Sequence, residues 1–155
     1  MSIFHSTSFS FYFIPTGTIL FLVIHLIIGV TNLYCSQLFM NQCQLKPATA
    51  EKLKKAVPGI EATDLALMQG CPMRSFDPLI MQDPLIYRLV EAMQHYGQSV
   101  KNVVNDLKGD GIISAIDLFM DAKIVKGIHN EDRVVVTLNG KYLAYNEQTL
   151  ETKTA

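Results

Sequence analysis

An α+β fold follows from three features of the sequence. Short amphipathic helical segments precede residue 77, one long helical pattern of apolar residues runs from Pro84 to Leu107, and two segments rich in β-branched and aromatic residues follow a Gly-Asp-Gly turn. The chain of 155 residues has room for one ordinary domain or two very small ones. Its 13 basic and 14 acidic residues leave a formal charge of −1, so no net charge marks a polyanion as partner. The charges are unevenly placed: every Lys, Arg, Asp and Glu lies at or after Lys46, and residues 1–45 carry none.

Within that uncharged part, FYFIPTGTILFLVIHLIIGV from Phe11 to Val30 is long enough to cross a bilayer if helical, with Pro15, Gly17, His25 and Gly29 as its interruptions. The absence of Lys or Arg in residues 1–10 argues against a cleavable signal peptide. The favoured reading is an atypical start, from an alternative exon or a gene-model error. Its competitor is membrane contact through residues 11–30, in which Lys46, Lys52, Lys54 and Lys55 keep the remainder on the cytoplasmic side. Either way the charged part is placed in the cytoplasm. The three cysteines, Cys35, Cys43 and Cys71, form neither a disulfide framework nor a zinc pattern, which fits a reducing compartment.

In AEKLKKAV, Ala50, Leu53 and Val57 recur at helical spacing before Pro58-Gly59 closes the element. ATDLALMQG reads as a second short helix, with Thr63 or Asp64 as N-cap and Gly70 as its stop. DPLIMQDPLI repeats an Asp-Pro start signal, since Asp caps a helix and Pro suits its first position. From the second copy the spacing predicts a helix over Pro84 to Leu107, with Leu85, Leu89, Met93, Tyr96, Val100, Val103, Val104 and Leu107 as a buried stripe. Lys108-Gly109-Asp110-Gly111 ends it, either glycine being able to adopt positive φ. IISAIDLFMDAKIV and RVVVTLNGKYLAY then read as strands around a turn at residues 127–132. Two strands do not bury a core alone, so a partner subunit is expected to complete the sheet.

Few of these residues suggest chemistry by spacing alone. Arg88 and Glu91 are three apart, so on a helix they share a face and can form an ion pair of a common kind. His95 continues that face by one turn, as a lone histidine. Ser114 follows the glycine turn, where a hydroxyl or its N–H can meet an anion, but it lacks a G-x-S-x-G context. No phosphate-binding glycine loop, dinucleotide fingerprint or H-E-x-x-H motif is present, and nothing calls for a metal or organic cofactor.

The segments LALMQGCPMRSFDPLI, DPLIYRLVEAMQHYGQSVK, GDGIISAID and DRVVVTLNGKYLAY resemble the cyanase family, also called cyanate hydratase or cyanate lyase. The likeness runs from about Gln37 to Gln148. It implies a carbon–oxygen lyase that decomposes cyanate with bicarbonate as co-substrate, giving carbamate and then ammonia and carbon dioxide. The family's catalytic Arg, Glu and Ser fall on Arg88, Glu91 and Ser114, and its site-lining positions fall on Ile112 and on Leu143, the latter from a neighbouring chain. The resemblance also implies a helix-turn-helix-like N-terminal part, here truncated, and a small C-terminal β domain that interlocks with a dimer partner. Family members assemble from dimers into homodecamers with shared active sites. The expected division is therefore residues 1–36 as the atypical N-terminus, 37–76 as a helical remnant, 77–148 as the catalytic domain and 149–155 as a tail.

Cyanate and bicarbonate are both monoanions, so their union needs fixed positive charge and preorganised donors. Arg88 suits this because its planar guanidinium stays protonated and binds paired oxygens, while Glu91 is expected to orient Arg88 and to help move a proton. Two departures from the family pattern stand out: Lys108 occupies a position where an aromatic is typical, and Ala144 replaces a proline. Two other functions compete, an assembly-defective splice form and a DNA-binding protein using Lys52, Lys54 and Lys55. The loss of a scaffold for a recognition helix speaks against nucleic acid.

Overall fold

The computed structural model describes residues 20–150, which divide into two compact units: 20–75 with Phe119–Leu138, and Phe76–Leu118 with 139–150. In the first unit, α1 (Leu20–Ile28), α2 (Asn32–Phe39), α3 (Pro47–Ala56) and α4 (Ala62–Gln69) each direct one pair of residues at helical spacing inward. These are Ile24 and Ile28, Cys35 and Leu38, Ala50 and Leu53, and Leu65 and Met68, with Leu45 between them. Leu45 also donates its N–H to the Met68 carbonyl at 2.8 Å. Truncating Leu38 or Leu53 to Ala is expected to cost about 2–5 kcal/mol, because both are fully buried.

Residues 20–36 therefore contribute to this core, and the packing runs unbroken across the expected boundary at residue 36. The apolar sequence from Phe11 to Val30 breaks at Gly29, whose φ of +76° ends α1. Its first part, residues 11–19, lies outside the described residues. Among the described residues no single helix is long and apolar enough to cross a membrane, and the helices at Phe21–Ile28 and Asn32–Phe39 meet at a 102° bend. α4 starts earlier than predicted. Its N-cap is Glu61, without a side-chain cap bond, so Thr63 and Asp64 fall inside the first turn instead of capping it.

The thiols of this unit are free. Burial, with a smaller contribution from nearby Cys43, pushes Cys35 up to about 11. Burial likewise raises Cys43. Cys71 is exposed.

In the second unit both Asp-Pro signals act as read. Asp77 caps a 3₁₀ turn at Pro78–Gln82, and Asp83 caps α5 (Pro84–Lys108). Gly109 takes the positive φ, +89°, that ends α5. Gly111 is constrained differently, since a Cβ there would lie 2.5 Å from the Tyr142 ring. The Tyr142 hydroxyl donates within reach of the carbonyls of Lys108 (3.3 Å) and Gly109 (3.0 Å), and Lys101 Nζ bonds Asp110 Oδ1 at 2.5 Å. These contacts hold the glycine turn from both sides despite the charge at Lys108. One expectation is corrected: the apolar stripe of α5 exists, but no residue of this helix is buried within the chain, and Met93, Tyr96 and Leu107 are well exposed.

β1 (Gly111–Lys126) and β2 (Asp132–Ala144) form a two-stranded hairpin closed at the turn by the Gly127 N–H to Glu131 carbonyl bond (2.9 Å). At the open end Tyr145 N–H bonds the Asp110 carbonyl at 3.1 Å. Between these closures the first strand takes 17 steps (110 to 127) and the second 14 (131 to 145), so the first carries three surplus residues. An odd surplus exchanges the faces of the strand, the signature of bulging.

Candidate active site

α5 owes its start, and hence its phase, to Asp83, whose carboxylate accepts from Leu85 N (2.9 Å) and Ile86 N (3.2 Å), with Pro84 in the first turn. In that phase Arg88 and Glu91 face each other, and guanidinium Nη1 donates to Glu91 Oε2 as an ion pair. The Arg88 side chain is 74% exposed and that of Glu91 29%. A pair this accessible adds at most about 1 kcal/mol to stability, so its main physical effect is to fix the orientation of the guanidinium.

The pair lies in an open concavity of about 550 Å³ lined by Arg88, Glu91, Ala92, His95 and Tyr96. These are positions i, i+3, i+4, i+7 and i+8 of one helix face. Ala92 makes the depression, because its methyl group leaves space between the longer side chains of Arg88 and Tyr96. The sequence reading placed His95 on this face as a lone histidine and Tyr96 in the apolar stripe, and gave neither a role in the site. The available signal was helical phase, since His95 lies four residues after Glu91.

Ser114 is the one buried polar residue among those described, with 9% exposure. Its Oγ accepts from Ile116 N (3.3 Å) and Asp117 N (3.0 Å). Consecutive amides in a regular strand point to opposite edges, so their meeting on one hydroxyl identifies a bulge at Ser114–Asp117. Gly140 belongs to the same feature: a Cβ there would collide with Ile113 Cγ2 and sit 3.4 Å from the Ser114 carbonyl. With both lone pairs engaged, the Ser114 hydroxyl is left with its hydrogen to donate, the polarity an anion requires.

Arg88 and Glu91 are thus brought together, whereas Ser114, Ile112 and Leu143 do not line their concavity within one chain. Ile112 is 50% and Leu143 40% exposed. Among the described residues no group of three or more His, Cys, Asp or Glu side chains is placed to hold a metal ion.

The family model of the cyanate lyase C-terminal domain matches residues 78–147, which contain every one of these positions. The chain is 48% identical over 123 residues to the cyanate hydratase of Arabidopsis thaliana, covering 79% of this chain and 73% of that protein. It is 47% identical over 125 residues to the cyanate hydratase of Phaeodactylum tricornutum, covering 80% and 65% of the two chains. The crystal structure of cyanase from T. urticae superposes with a TM-score of 0.69 at 25% identity, over 84% of this chain and 90% of that one. An alignment of 123 residues is longer than the stretch from Gln37 to the end of the chain, so the similarity reaches upstream of Gln37, into the region that supplies core residues. Sequence similarity and fold agree that the chain belongs to the cyanate hydratase family.

Proposed function

We propose that this protein decomposes cyanate in a bicarbonate-dependent reaction. One cyanate, one bicarbonate and a proton give carbamate and carbon dioxide, and carbamate takes up a second proton to release ammonia and a second carbon dioxide. The observation that carries this reading is the oriented Arg88–Glu91 pair within a segment matched by the family model.

Each side chain has a role suited to its chemistry. Arg88 offsets the charge of the adduct, a dianion before proton uptake, and Glu91 orients the guanidinium and assists proton movement. The Ser114 hydroxyl donates to an anion oxygen. Ile112 and Leu143 form apolar walls that exclude water, and no cofactor takes part. That Ser114 does not line the Arg88 concavity in one chain supports a site completed by a neighbouring copy. The exposed stripe of α5 and the two-stranded sheet support self-association. The proposed assembly is a homodecamer built from dimers, and the proposed compartment is the cytoplasm.

The reading is tested by supplying ¹⁵N-cyanate with ¹³C-bicarbonate. Ammonia should carry the ¹⁵N label, and half of the carbon dioxide that the reaction releases, captured before it exchanges with bicarbonate and corrected for an enzyme-free blank, should carry ¹³C. Ammonia formed without release of carbon from bicarbonate would mean simple hydrolysis and would overturn the proposal.

A further inference from the structure

The Arg88 concavity holds a cationic candidate that the roles above leave unused. His95 lies one turn beyond Glu91, so Glu91 is flanked by Arg88 three residues before it and His95 four residues after. Within the chain the Arg88 charge is already offset by Glu91. The site therefore presents no net charge when the imidazole is neutral, and one positive charge when it is protonated. Two monoanions need more than one donor, and Tyr96, the remaining polar lining residue, offers only a hydroxyl. The 3₁₀ turn packed against α5, Pro78–Gln82, contributes no ionisable side chain, and within the chain the polar residues that line the concavity with His95 are Arg88, Glu91 and Tyr96.

We propose that His95 is a second, pH-dependent anion-binding residue of this site, its protonated ring donating to one of the two monoanions while Arg88 holds the other. The inference rests on the cyanate reading. Histidine is the side chain that ordinarily changes charge near neutrality, so substrate affinity, and not only turnover, should follow pH.

The test compares KM for cyanate and for bicarbonate in the 155-residue protein, in His95→Gln and in His95→Lys. Taking the ratio of variant to wild type at each pH cancels the titration of bicarbonate itself. His95→Gln should raise KM for one anion about tenfold at about pH 6, the loss of one charge-assisted hydrogen bond, and less than about twofold at about pH 8.5. His95→Lys, charged throughout, should hold KM near its pH 6 value across the range. KM ratios for both variants that do not vary with pH, or a loss confined to kcat, would overturn the proposal. So would failure of both variants to assemble like wild type, since His95 would then be structural. A wild-type protein without cyanate-dependent turnover would instead overturn the cyanate reading.

Discussion

Asn32 and Ala122, 90 residues apart in the chain, are joined by two hydrogen bonds: Asn32 Nδ2 donates to the Ala122 carbonyl at 2.5 Å, and the Ala122 N–H donates to Asn32 Oδ1 at 3.1 Å. The side-chain amide acts here as a one-residue strand. It satisfies both backbone groups of Ala122 on β1, a strand whose other partner is β2 alone. Asn32→Ala should lower stability by about 1–3 kcal/mol, because it leaves two partly buried backbone groups unpaired. Asn32→Asp keeps the acceptor but not the donor and should fall between. Urea unfolding of the three proteins checks the order.

Loss of the Arg88 guanidinium should abolish turnover, whereas loss of the Glu91 charge should only weaken it. Arg88→Leu is expected to show no cyanate-dependent ammonia release. Glu91→Gln, which leaves Arg88 unoriented, should reduce kcat/KM by about 10²–10³-fold, the scale of losing one preorganised electrostatic group. Wild-type rates in Glu91→Gln would remove Glu91 from the site.

Ser114→Ala should act on stability as well as on activity. The hydroxyl satisfies two amides of the bulge, so its removal is expected to cost about 1–3 kcal/mol in addition to the loss of an anion donor. Thermal unfolding alongside the kinetics separates the effects, and a variant with impaired activity and wild-type stability would contradict the bulge role.

Alkaline pH should destabilise the helical unit. The Cys35 thiol is raised in the folded state, to about 11, and that of Cys43 is raised as well, so the native protein holds these protons more tightly than the unfolded chain. The resulting stability is present below the unfolded thiol value of 9.0 and is lost as pH rises through about 11. Denaturant midpoints should therefore fall over that range in wild type and fall less in Cys35→Ala.

The sequence was most legible where one residue type dictates local geometry. Both Asp-Pro starts appear where they were read, and of the two glycines offered as the stop it is Gly109 that takes the positive φ, because a cap and a positive φ depend only on neighbouring residues. The start of α4 was misplaced because Glu61, Thr63 and Asp64 lie too close together for spacing to choose among them. The α5 stripe was legible as a pattern, but pattern does not reveal what covers it. The Asn32–Ala122 pairing and the bulge at Ser114 depend on contacts and strand register that no local window contains. In the candidate site, Arg88 and Glu91 were legible through helical phase joined to family likeness. His95 was placed on that face by the same phase but lacked the likeness, and only the concavity around Ala92 joins it to the pair.

Bicarbonate-dependent cyanate decomposition at Arg88 can be read from the initial rate of ammonia release from cyanate by the purified 155-residue protein, with and without bicarbonate and beside Arg88→Leu. Release should require both cyanate and bicarbonate and be absent from the variant. Release that persists unchanged without bicarbonate or in Arg88→Leu, or no release from an assembled wild-type protein, would contradict it.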